Sequence, residues 1–71
     1  MKKSYVVLCM CNELLQGKKL NLKKCCSLYG ISASTFRRYL ALLRSFFWEQ
    51  LEQVVLYDGS TQTYGLKFIK E

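Results

Sequence analysis

Five side chains within one short stretch could do chemistry: Ser32, Ser34, Thr35, Arg37 and Arg38. A small hydroxyl gives and takes hydrogen bonds close to the backbone. A guanidinium presents a planar fork of donors that matches phosphate oxygens, or the O6 and N7 edge of guanine. Hydroxyls followed by paired guanidiniums predict recognition of a polyanion, with duplex DNA the best fit. The equipment of an enzyme is missing. The chain has no histidine, Asp58 is its one aspartate, and no cysteine has a base beside it. Glu49 and Glu52 have no recognisable partner, and there is no glycine-rich phosphate loop. No catalysis, cofactor or small-molecule ligand is expected.

The charge supports an anionic partner. The 71 residues carry a net charge of +6, unevenly spread. Residues 1–48 hold nine Lys or Arg against one acid, and residues 49–71 hold two Lys against four acids. Such a basic block attracts phosphate and releases its counterions on binding. Lys18, Lys19, Lys23 and Lys24 are expected to position the protein on a phosphate backbone, or else to be ordinary solvated charge.

Cys9, Cys11, Cys25 and Cys26 invite a metal or disulfide reading, which their spacing opposes. Residues two apart on a helix point about 200° from each other, and neighbours about 100°. Neither pair can chelate one ion on its helix, and no histidine completes a mixed zinc site. They are expected to be small core residues, with no metal bound. No stretch approaches the ~20 apolar residues of a membrane span. The apolar run from Tyr5 to Met10 is too short for a signal peptide and lacks a cleavage site. A cytoplasmic protein with no membrane contact is expected.

The elements that must position these groups follow from periodicity and punctuation. With 51 % hydrophobic and 23 % charged residues the chain reads as a single globular domain over 1–71. A first helix is expected over 4–16, capped by Ser4 and stopped by Gly17, with an apolar stripe of Val7, Leu8, Cys11, Leu14 and Leu15. Leu20 starts a short strand. A second helix over 21–29 is capped by Asn21, with Leu22, Cys25, Cys26 and Tyr29 inward and Gly30 at its end. Ile31 plugs the core between helices. A third helix over 32–48 is capped by Ser32; its end falls between Ser45 and Gln50. Phe36, Leu40, Leu43 and Phe47 form its core stripe, and Ser34, Arg37, Arg38, Ala41 and Arg44 the opposite face. A hairpin spans 53–69. A tight Asp58-Gly59 turn would pair Tyr57 with Ser60; a longer tip would pair Tyr57 with Tyr64. The second register is preferred because it gathers Val55, Tyr57, Tyr64, Leu66 and Phe68 on one face.

The fold class is therefore mostly α with a β-hairpin: a three-helix winged helix-turn-helix of order α-(short β)-α-α-β-β, with Gly30-Ile31-Ser32 as the turn. The stretch from Leu20 to Leu43 resembles the DeoR-type winged helix, also found at the N-terminus of WYL-domain regulators. Its centre is Gly30-Ile31-Ser32, Thr35-Phe36-Arg37-Arg38 and Leu40, and the likeness extends over roughly residues 5 to 68. It implies DNA-facing roles for Ser32, Thr35 and Arg38 and a base-reading role for Arg37. It also implies a wing that ends near Gly65-Leu66. Tyr39 stands where the family usually has aspartate, and Lys23 and Lys24 replace acidic residues. The tip carries Asp58 rather than a base, so Ser60, Thr61, Gln62 and Thr63 remain its expected phosphate contacts.

A second apolar stripe on the third helix, Tyr39, Leu42 and Phe46, with Trp48 nearby, exceeds what three helices easily bury. Either the hairpin packs on it or it is an interface. Two functions follow. The first is binding of double-stranded DNA, as a transcriptional regulator or the DNA-binding domain of one, acting as a homodimer or attached to a larger regulator. The alternative is a winged-helix protein–protein module that uses the aromatic surface around Phe46 and Trp48.

Overall fold

A computed structural model describes residues 2–68. The elements are α1 (Lys3–Leu15), β1 (Leu20–Asn21), α2 (Leu22–Tyr29), α3 (Ala33–Leu51), β2 (Gln53–Asp58) and β3 (Thr63–Phe68). This is the winged helix-turn-helix order, with one antiparallel sheet of strand order β1-β3-β2. Ile69, the expected end of the hairpin, lies outside the described residues, as do residues 1, 70 and 71.

Caps set most of the boundaries. Asn21 Oδ1 accepts the Lys24 backbone N–H at 3.0 Å and opens α2. Ser32 Oγ accepts the Thr35 N–H at 3.2 Å and opens α3. Ser4 does not cap α1. The helix starts one residue before it, Lys2 holds the cap position without a side-chain bond, and its carbonyl takes the Val6 N–H at 3.1 Å. Gly17 (φ +80°) closes α1, with Lys18 N–H on the Glu13 carbonyl at 3.0 Å and Gly17 N–H on that of Leu14 at 3.1 Å. That pair of bonds is a Schellman stop. The third helix runs to Leu51, past its expected end, because no glycine or proline interrupts it. Glu52 then turns the chain at φ +53°.

The core is built on α3. Phe36, Leu40, Leu43 and Phe47 are buried as their spacing predicts, and they meet Val6, Met10, Leu14, Leu20, Cys25 and Val55. Leu22, Cys26, Tyr29 and Ile31 pack at its edge. On α1 the buried stripe is Val6, Met10 and Leu14, flanked by Val7 and Cys11. Leu8 and Leu15, expected in the core, are exposed. They lie about 150° around the helix from Met10, and a helix packed on one side covers only its central stripe.

Tyr39 is a second correction. The sequence leaves its stripe either under the hairpin or at an interface; Tyr39 itself is buried in the core. Its ring lies only about 60° from the centre of the core stripe, close enough for α1 to cover it. Leu42 and Phe46, further round, stay exposed.

The hairpin adopts the longer-tip register, pairing Tyr57 with Tyr64 and Val55 with Leu66. Tyr64 stacks at 4.8 Å from Tyr57 and 5.8 Å from Phe36 (ring centroids), which carries the core out into the wing. Phe68 and Tyr57 share that face but remain exposed at its margins. β1 pairs Leu20 with Tyr64, so the wing is stitched to the helix-turn-helix.

Candidate nucleic-acid interface

The N-terminal end of α3 carries a chain of hydroxyls. The Ser32 hydroxyl donates to Thr35 Oγ1 at 3.0 Å and lies 3.2 Å from Ser34 Oγ. Arg38 Nη2 donates to the same Thr35 Oγ1 at 3.3 Å. Ser32, Ser34 and Arg38 are exposed and Thr35 is half-buried. Four side chains are thus held in one orientation on the outer side of the helix. A prearranged set of donors loses less side-chain freedom when a ligand arrives.

Arg37 points elsewhere. It shares a groove with Asn21, Leu22 and Lys23 at the start of α2 and with Tyr57, Gln62 and Tyr64 of the hairpin. Neighbouring residues on a helix diverge by about 100°, so Arg37 turns to the wing side while Arg38 turns to the α1 side. Arg38 borders a hollow lined by Lys3, Tyr39 and Leu42. Arg37 and Lys23 therefore form one basic pair, and the hydroxyl chain with Arg38 a second feature beside it.

The remaining candidates spread outward. Lys24 is exposed near the start of α2, one residue on from Lys23. Lys18 pairs with Glu13 at 4.0 Å on the surface, a weak contact that leaves the ammonium accessible. Lys19 lies on the outer side of the sheet, in a hollow shared with Tyr57, Asp58, Thr63 and Gly65. Its stem is so close to Gly65 that a Cβ there would meet it at 3.4 Å. Arg44 sits two turns along α3 from Arg37, beside Trp48, Val54 and Leu56. Leu42 and Trp48, grouped by the sequence into one interface, lie on opposite flanks of α3: Leu42 faces the α1 side and Trp48 the hairpin.

The wing tip is orderly and acidic. Asp58 Oδ1 accepts the Ser60 hydroxyl at 2.7 Å and the Ser60 N–H at 3.0 Å. These bonds, the hydroxyl first, hold its carboxyl below the usual carboxylate range and keep it charged. Thr61 and Thr63 share a hydrogen bond of 2.7 Å. A fixed negative charge beside them repels phosphate and disfavours the tip as a deep groove contact.

Asn21 and Tyr57 join the site without any signal in the local sequence, beside Gln62, which the sequence offers as a phosphate contact. Asn21 reads as a cap, and its second role depends on a residue far along the chain: its Nδ2 donates to the Gln62 carbonyl at 3.0 Å. The four thiols are free, with Cys25 buried. Burial pushes the Cys25 and Cys11 thiols up, away from the reactive thiolate. Among the described residues no group of three metal-ligating side chains converges. None of the described helices is long and apolar enough to cross a membrane. No protein-family model matches the chain, and no curated protein or solved structure matches it significantly.

Proposed function

We propose that this chain binds double-stranded DNA in the cytoplasm, as a DeoR-like transcriptional regulator or the DNA-binding domain of one, with the N-terminal half of α3 in the major groove. A helix fits that groove, and residues near its N-terminus meet base edges. The observation that carries the reading is the hydrogen-bonded set of Ser32, Ser34, Thr35 and Arg38 at the N-terminal end of α3, next to the groove that holds Arg37 and Lys23. Arg37 reads a base, Lys23 and Lys24 hold the phosphate backbone, and the hydroxyls close the approach.

Titration of a fluorescent duplex at two salt concentrations tests this. Binding that weakens steeply with salt, and that Arg37→Ala/Arg38→Ala largely removes, is the expected outcome. Absence of binding at low salt by a folded sample overturns it.

A second reading has its own support. Leu42 and Phe46 are exposed on one flank of α3 and Trp48 on the other, so either flank is open to a partner. If the chain is a protein–protein module, the arginine pair is dispensable and Phe46 or Trp48 is not.

A further inference from the structure

The flank of α3 nearer α1 remains apolar and uncovered. Leu42 is 50 % and Phe46 is 44 % exposed. Thr35, Tyr39, Leu42, Phe46 and Glu49 follow one another at alternating spacings of four and three, the periodicity of a seam between two helices. Tyr39 is taken by the chain's own core, which leaves Leu42 and Phe46 as the outward part.

Charge along this flank is graded. At its N-terminal end Lys3 and Arg38 border the hollow beside Leu42. At its C-terminal end stands exposed Glu49, followed by Glu52. The one ion pair among the described residues is Lys18 with Glu13, so no described cation neutralises Glu49. Acids in the last turns of a helix also oppose its dipole. A partner helix running the opposite way removes both conflicts, because it sets a basic N-terminal end beside Glu49. This chain itself has that gradient with an apolar centre.

We propose that α3 packs antiparallel against α3 of a second copy, about a two-fold axis midway between Leu42 and Phe46. Leu42 then meets Phe46 of the partner subunit, and Arg38 and Lys3 come within reach of Glu49 of the partner subunit. The contact is isologous, so each pair occurs twice. The pairing does not require DNA binding, although Arg38 belongs to both surfaces. The seam lies roughly 100° around α3 from Ser34 and about 160° from Arg37, with Arg38 between seam and Ser34.

Sedimentation equilibrium of the full chain without DNA, from micromolar to millimolar concentration, tests the proposal. Reversible dimerisation is expected. Phe46→Glu abolishes it, and Trp48→Glu, on the opposite flank, leaves it unchanged. Arg38→Glu and Glu49→Arg each weaken it roughly fivefold or more, since each contact is made twice. The double reversal restores it to within about twofold of the wild type, the behaviour of coupled partners. A thermal melt at concentrations where the chain is monomeric should show Glu49→Arg at least as stable as the wild type, which separates its effect on dimerisation from misfolding. A monomer throughout, or a dimer indifferent to Phe46→Glu, overturns the proposal. Failure of the double reversal to restore the dimer overturns it too.

Discussion

Asn21 and Gln62 lie 41 positions apart and are joined by a hydrogen bond of 3.0 Å from Asn21 Nδ2 to the Gln62 carbonyl. The other atom of the same amide, Oδ1, accepts the Lys24 N–H and caps α2. One side chain thus starts the second helix and pins the wing. Asn21→Ala should cost about 2 kcal/mol, the sum of a lost cap and a lost hydrogen bond. Asn21→Asp keeps the acceptor but loses the donor, so it should cost about 1 kcal/mol or less. Urea unfolding of the three proteins checks the order. Equal loss in both variants would mean that the wing tie carries the whole effect.

The backbone is strained at two positions, one in the wing tip and one at the end of α3. Gln62 and Glu52 hold φ of +56° and +53°, where a Cβ crowds the following carbonyl. Gln62→Gly and Glu52→Gly should each stabilise the protein by up to about 1 kcal/mol, the gain being cut by the greater freedom of glycine in the unfolded chain. Gly30→Ala should do the reverse by about 1 kcal/mol. A Cβ at Gly30 meets nothing within 4 Å, so the whole cost is its φ of +65°. Melting temperatures moving in opposite directions for the two kinds of change check this.

Much of this arrangement was legible in the sequence, for reasons that differ between elements. On α3 the burial of Phe36, Leu40, Leu43 and Phe47 follows from their spacing of four, three and four, which keeps them in one narrow stripe along the helix. Ser32 and Asn21 act as caps because a short side-chain oxygen before an apolar-periodic run has little else to bond. The α1 stripe was misread, because Leu8 and Leu15 are as apolar as Val6 and Met10. Only the partner elements decide which stripe is covered. Grouping Trp48 with Phe46 overlooked that residues two apart on a helix face nearly opposite ways. The groove that joins Arg37 and Lys23 to Tyr57 and Gln62 depends on where the wing docks, which local pattern does not encode.

The two kinds of basic residue should separate in DNA binding. Lys23→Ala and Lys24→Ala should each weaken binding similarly for all sequences and lower the slope of log K against log salt by about 1. Arg37→Ala should cost about 1–3 kcal/mol and relax preference at one base pair. Asp58→Asn, by removing the charge held beside Thr61 and Thr63, should strengthen binding if the tip comes near phosphate. Competition against a pool of variant duplexes distinguishes these effects. An Arg37→Ala variant that loses affinity evenly across the pool would reassign Arg37 to the phosphate backbone.

Stability should fall at alkaline pH. Burial raises the Cys25 and Cys11 thiols above their ordinary value of 9.0, and the Tyr29 phenol above 10.0. In the unfolded chain these groups ionise at their ordinary values, so below about pH 9 folded and unfolded states bind the same protons there. As pH rises past that point the unfolded state loses protons first and is favoured. The contribution is therefore complete below the unfolded value and lost as pH climbs through the higher folded values. Thermal melts from pH 7 to pH 11 should show a decline beginning near pH 9, shallower in a Cys11→Ala/Cys25→Ala variant. An identical decline in the variant would place the alkaline sensitivity in Tyr29 instead.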